Sequence, residues 1–331
     1  MITETTDKLP PLTQEDRAAI AALPRDIATH DAHMATLGTM TRVELGGACP
    51  AARLDFPLTI AAWNLERCLF PAESAAKLAE EGARVVLLSE MDNGMARTQQ
   101  NHTTALVAEG LGMQFAYGVE FIELGLGSGP ELQFCTDIRN LLGLHGNALM
   151  ASVPLRQVFM LRLAGQRRWF TEGGDQPRMG ERMAIGALID TAEGPLVAVS
   201  VHLESHGDAP LRQAQIAGLI DGLEAAFPAV PIVIGGDLNS GNQLGGDWRA
   251  ESFFAHAESR GFSTHSGEIG QMTTRPSLLT PNPSRAQKLD WFLTRGVRVS
   301  RSWIVPSTDA SGRPLSDHDM VVLTLDGLTA D

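Results

Sequence analysis

From Leu58 onward the chain alternates short apolar runs with amphipathic stretches, and most of the apolar runs carry a polar residue at or near one end. LTIAAWNL carries Asn64, VVLLSE ends at Glu90, and VAVSVHLE carries His202. PIVIGGDLN carries Asp237 and Asn239, KLDWFL carries Asp290, and SDHDMVVLTL begins with Asp317 and His318. Apolar runs of roughly four to eight residues bounded by turn-type residues predict buried strands. PAESAAKLAEEG, TTALVAEGLG, LRQAQIAGLIDGLEAAF and the segment near ESFFAHAESRG predict helices between them. MQFAYGVEF, NALMAS and VSRSWIVP predict further strands, and VFMLRLA with RMAIGALID predicts a hairpin joined by loop 165–180. The result is a mixed α/β chain in which antiparallel hairpins coexist with strand–helix–strand units.

Ahead of these elements, residues 1–56 read as an N-terminal helical extension packed on the main domain, which spans 57–331. Thr13 is placed to cap a helix that is interrupted near Pro24. Residues 121–146 are Gly-rich and irregular. They predict a loop at the rim of a site, delivering His145 next to Asn147.

Composition narrows the partners. Of 331 residues 44% are hydrophobic, enough for a large core, and no apolar stretch approaches the roughly 20 residues of a membrane span. The polar, acidic N-terminus does not resemble a secretory signal, and Cys49, Cys68 and Cys135 lack metal-ligand spacing, so a cytoplasmic protein with reduced thiols is expected. The net charge of −13, with lysine at positions 8, 77 and 288 alone, disfavours nucleic acid as a partner.

The ordered set WN, SE, HGNA, HL, GDLN, LDW and SDH resembles the endonuclease/exonuclease/phosphatase superfamily, which includes DNase I, AP endonucleases, neutral sphingomyelinases, inositol polyphosphate 5-phosphatases and deadenylases. The resemblance covers roughly residues 57–327. It implies a four-layer α/β sandwich of two packed mixed β-sheets flanked by helices. It also implies a metal group of Glu90, Asn64 and Asp317 holding one or two Mg²⁺ or Mn²⁺ ions. These are hard donors for a hard cation. In the same reading Asp237 activates water, Asn239 holds a phosphate oxygen, His318 contacts the phosphate with Asp290 fixing its tautomer, and His202 is a second catalytic histidine. Glu120 is a candidate to orient His202. Asn147, His145, Arg182 and Arg139 are candidate substrate contacts. Asp92 is read as a cap or loop acid, Glu66 and Glu204 as solvated rim charges, and Arg97 and Arg212 as surface ion pairs. The expected activity is metal-dependent hydrolysis of a small or lipid-like phosphodiester, with a nuclease of the same fold and a catalytically degenerate binding module as alternatives.

Overall fold

The computed structural model of the protein describes residues 1–174 and 176–329. The chain begins with β1 (Thr5–Thr6), α1 (Gln14–Ala21), α2 (Ile27–Met34) and β2 (Val43–Gly47). It continues through β3 (Leu58–Arg67), α3 (Pro71–Glu80), β4 (Val85–Asn93), α4 (Thr103–Leu111), β5 (Gln114–Glu123), the one-turn α5 (Gly129–Leu132) and β6 (Leu144–Ala151). The middle holds β7 (Arg156–Arg162), the one-turn α6 (Arg168–Thr171), β8 (Arg178–Gly180), β9 (Met183–Thr191), β10 (Gly194–His202), α7 (Ala209–Ala226) and β11 (Ile232–Asp237). The chain closes with α8 (Ser252–Ser259), β12 (Ser263–His265), β13 (Asp290–Arg295), β14 (Val297–Val305) and β15 (Met320–Leu328).

Two sheets form. One runs β1-β2-β5-β6-β4-β3-β15-β14 with β8 on the β5 edge, and the other runs β12-β13-β11-β10-β9-β7. Each mixes parallel pairs (β3 with β4, β10 with β11) and antiparallel ones. Alternation along β3 shows why its run is almost wholly apolar. Ile60 and Ala62 face the core between the sheets, whereas Ala61, Trp63 and Leu65 pack outward with Leu78 of α3 and Val107 of α4. On the far side, Val197, Val199 and Val201 of β10 pack on Ile216, Leu219 and Leu223 of α7. Helices therefore cover both outer faces, giving the four-layer sandwich, and strands buried on both faces read as continuous hydrophobic runs.

In the first 56 residues the helix expected to be interrupted near Pro24 is two separate helices, α1 and α2. Thr13 caps α1 in a reciprocal box with Asp16, and Asp26 caps α2. The same residues also supply β1 and β2, which extend the larger sheet beyond β5. The Gly-rich segment is shorter than expected, because β5 runs on to Glu123 and β6 starts at Leu144. What remains irregular is pinned from below. Arg17 donates to the carbonyls of Leu142 at 2.6 Å and Glu123 at 2.5 Å, and Asn140 bridges Gly125 and Ala96.

The topology collects the candidate residues at one end of the sandwich. Asn64 and Glu90 lie toward the C-terminal ends of the parallel neighbours β3 and β4, and His202 and Asp237 end the parallel neighbours β10 and β11 in mutual register. Asp290 starts the antiparallel β13 opposite Asp237, and His318 precedes β15, which runs antiparallel to β3. Carboxyl ends of parallel strands are the usual location of α/β sites.

Candidate active site

β3 and β4 both lose register at the site, between Asn64 and Arg67 and between Leu88 and Met91. Glu66, Arg67, Cys68 and Glu90 take left-handed φ values of 44°, 79°, 57° and 59°. Such a conformation costs a non-glycine residue roughly 1–2 kcal/mol, and bulges of this kind re-aim side chains beside active sites. Here the bulges bring Glu90 against Asn64. Asn64 Nδ2 lies 3.2 Å from Glu90 Oε1 and 3.1 Å from Asp237 Oδ2, and Asn64 Oδ1 accepts from the Glu66 amide at 3.0 Å.

Asp237 is the hub. Its Oδ2 also faces His202 Nε2 at 3.5 Å and His318 Nε2 at 3.7 Å, while its Oδ1 accepts from the Asn239 amide at 2.8 Å. Asn239, at φ 48°, is fixed by donation to the Leu203 carbonyl. His318 Nδ1 lies 2.9 Å from Asp290 Oδ2, and the amide of His318 is held by Ser316. Burial alone would lower the His318 pKa. The charges of Asp290, Asp237 and Asp317 outweigh it and raise the imidazole well above its ordinary value. Burial in turn raises Asp290, against the pull of His318. His202 is flanked by Glu120, with Nδ1 3.4 Å from Oε2, and by Arg182, whose Nη1 is 2.9 Å from Nδ1. Arg182 also donates to Glu120 Oε1 at 2.9 Å. Burial pushes Glu120 toward neutrality, yet Arg182 and His202 overcome it and bring the carboxyl down to about 2.

Several expectations are corrected. His145 is not a loop histidine. It is buried in β6, with Nδ1 2.9 Å from Asp92 Oδ1 and a pKa lowered by burial. Asn147 does not open a strand toward substrate. It is fully buried in mid-β6, donates to the Met183 carbonyl, and its Oδ1 lacks a partner among the described residues. Arg139 sits on the exposed part of the 124–143 segment, where its carbonyl accepts from Gln100, and no hydrogen bond or ion pair among the described residues joins it to Asp237 or either histidine. Asp92 is not a cap. It forms a buried bidentate pair with Arg97, which also reaches Glu123 and Glu131. Arg212 is likewise buried, against Glu251. Glu66 is not a solvated rim charge. It accepts from Ser277, Thr280 and the Asp317 amide, and burial together with the Asp317 charge pushes it up to about 7. Glu204 is buried between Arg182 and Trp169.

The sequence reading missed Arg67, which contacts Glu90 and donates to Glu131 at 2.8 Å. A cation is thus already drawn to the Glu90 carboxylate. The donors suit a hard divalent ion in type: Glu90, Asp237 and Asp317 are carboxylates and no thiolate is near. Asn64 is a correction within that group, because its amide oxygen is engaged by Glu66 and its NH₂ faces the acids. The tightest cluster of ligand-type atoms among the described residues is Asp237, Asp290 and His318, all within 4.8 Å.

The sequence profile of the Endonuclease/Exonuclease/phosphatase family matches residues 61–318. The chain belongs to that family. Its members are generally hydrolytic phosphoesterases that use a divalent metal. No curated protein matches the sequence significantly. Solved structures with the same fold include an endonuclease/exonuclease/phosphatase from Beutenbergia cavernae, 19% identical with a TM-score of 0.57, covering 82% of this chain and 72% of that one. The human Nocturnin catalytic domain with bound sulfate is 15% identical at a TM-score of 0.55, covering 86% and 97%. Truncated Caenorhabditis elegans TDP2 is 14% identical at a TM-score of 0.53, covering 82% and 98%. At these identities the likeness speaks for the fold alone.

Proposed function

We propose that this chain is a divalent-metal-dependent phosphodiesterase acting on a small or lipid-like phosphate ester. The observation that carries the reading is the setting of Asp237, one buried carboxylate faced by the Asn64 amide at 3.1 Å and by two imidazole nitrogens at 3.5 and 3.7 Å. A bound Mg²⁺ or Mn²⁺, held chiefly by Glu90 with Asp317 nearby, would supply Lewis-acid stabilisation of charge on the phosphoryl oxygens.

The chain's own groups divide the remaining work. Asp237 accepts a proton from the attacking water and orients it, with Asn64 and the Asn239 amide fixing the carboxylate. Asp290 holds Nδ1–H of His318 and favours the protonated ring, so that Nε2–H points into the site as a donor to a phosphate oxygen. His202 presents a second Nε2 from the other flank, braced by Glu120 and Arg182. The overall charge of −13 makes a polyanionic duplex the weaker candidate. Among the described residues no helix is long and apolar enough to cross a membrane.

The deciding experiment is a metal-supplemented screen of bis-p-nitrophenyl phosphate, p-nitrophenyl phosphate, glycerophosphodiesters, sphingomyelin and plasmid DNA. Turnover of a small diester above the monoester and the plasmid supports the reading. Turnover of plasmid alone replaces it with a nuclease.

A further inference from the structure

Beside the reaction centre lies a cavity of about 320 Å³ lined by Arg168, Trp169, Glu172, Gln176, Arg178 and His206. Glu204 ties it to the site. Its Oε2 accepts from Trp169 Nε1 at 3.1 Å and from Arg182 Nε at 3.4 Å, and its Oε1 accepts from the His206 amide at 2.9 Å. Arg182 in turn touches His202, so one arginine and one carboxylate separate the cavity wall from a catalytic-type histidine.

That wall is built, not incidental. Phe170, adjacent to Trp169, is buried under the ring of His30 at 5.4 Å and the guanidinium of Arg25 at 4.7 Å. Arg167 pairs with Asp31 at 2.8 Å, and His30 Nε2 sits 3.1 Å from the Gly180 backbone. The N-terminal helix α2 thereby holds the segment that presents Trp169.

The chemistry of the lining points to one kind of occupant. Its positive charges are already matched: Arg168 lies 3.0 Å from Glu172 and Arg178 lies 3.3 Å from Glu123. Burial and the neighbouring arginines lower the pKa of His206, favouring a neutral ring. A second phosphate would meet little net attraction. What the cavity offers instead is π surface and donors. Trp169 is half-buried, with the His206 ring edge-on at 4.8 Å and the Arg178 guanidinium 5.0 Å from its centroid. Gln176 is anchored through Oε1 to the Gly127 amide at 2.8 Å, leaving its NH₂ to donate.

We infer that this cavity is the subsite for a planar aromatic ring, carried by the ester group of the substrate that points toward Arg182. The inference deepens the phosphodiesterase reading by naming the substituent it selects, and it rests on that reading only for the word substrate. An aryl ester and a nucleoside ester share this chemistry.

Calorimetric binding to the metal-free protein tests it with benzylphosphonate and adenosine 5′-phosphate as ring-bearing probes, and methylphosphonate and glycerol phosphate as controls. At least one ring-bearing probe should bind roughly ten-fold more tightly than the controls, the scale of an aromatic stacking contact. Trp169→Ala should remove that gain and Trp169→Phe should keep most of it, with the thermal midpoint of each variant showing that it folds. A gain confined to the adenosine probe assigns a nucleobase, and a gain from both probes assigns any aryl ring. Equal binding of all four ligands, or a gain that survives Trp169→Ala, overturns the subsite. If the ring preference holds while neither bis-p-nitrophenyl phosphate nor a glycerophosphodiester is hydrolysed with added Mg²⁺ or Mn²⁺, the subsite stands and the proposed activity falls.

Discussion

His318 and Asp290 form the closest acid–imidazole pair of the site, with Nδ1 2.9 Å from Oδ2 and 3.1 Å from Oδ1, both groups buried. Asp290 starts β13 and His318 precedes β15, and the pairing leaves Nε2 directed at Asp237. A carboxylate in this position fixes the tautomer and favours the protonated ring. Asp290→Asn should lower kcat/KM on a small diester by about 10²-fold or more. The double variant Asp290→Asn/His318→Ala should be little worse than His318→Ala alone, because the two act as one unit. Adding His202→Ala should give a further loss. Fully multiplicative losses for Asp290 and His318 would remove the positioning role.

Glu90 is predicted to carry metal dependence. Glu90→Gln should weaken Mg²⁺ or Mn²⁺ binding in calorimetry and cut turnover by at least about 10²-fold, the scale of losing one electrostatic stabiliser. Full activity of the unmodified protein in excess EDTA would exclude the metal-dependent reading outright.

Duplex DNA should be a poor substrate. Backbone-binding proteins gain affinity by releasing counterions from several phosphates at once, and this chain has lysine only at positions 8, 77 and 288 within a net charge of −13. The measurement is plasmid nicking at low and moderate salt with saturating metal. Efficient nicking that collapses as salt rises would reverse the ranking of diesterase over nuclease.

The residues that end or start regular strands were the legible part of this molecule. Asn64, His202, Asp237, Asp290 and His318 follow directly from buried runs whose polar ends must lie at the mouth of the sandwich. Legibility failed where the backbone departs from period two. Strand alternation puts Glu66 on the same face as Asn64, and a glutamate near a strand end reads as solvated rim charge, but the bulge after Asn64 turns it inward to Ser277 and Thr280. The same bulge brings Arg67 to Glu90 without any local signal. Arg212 reads as a surface charge because its partner Glu251 lies far along the chain, and Arg97 because its pairing with nearby Asp92 is completed by the distant Glu123 and Glu131. β1 and β2, of two and five residues, are too short for a periodic pattern to reveal them. Trp169 lies on a one-turn helix within a connecting segment, where composition says nothing about what it faces.

The buried arginine network makes a prediction about acid stability. Glu131 accepts from Arg67 at 2.8 Å and from Arg97 at 2.9 Å, and its side chain is almost fully enclosed. Burial alone would raise its pKa, but the two guanidinium groups more than offset this and bring it down to about 2. A carboxyl whose folded pKa lies below its unfolded value binds fewer protons in the native state, so stability falls as pH falls. The contribution is fully present above the unfolded value near 4.5 and is lost progressively as pH drops toward 2. Its size is on the order of 3 kcal/mol. The Glu131 contribution should therefore be constant between pH 7 and 5, and its loss should lower the thermal midpoint of the unmodified protein below about pH 4.5. Glu131→Gln should lower the midpoint at pH 7, because it leaves Arg67 and Arg97 short of a counter-charge in a buried site. It should also flatten the acid limb, since the group responsible for part of the slope is gone. Parallel curves for the two proteins between pH 5 and 3, offset by a constant amount, would show that Glu131 does not titrate across the transition and that another carboxylate, such as Glu120, sets the acid limit.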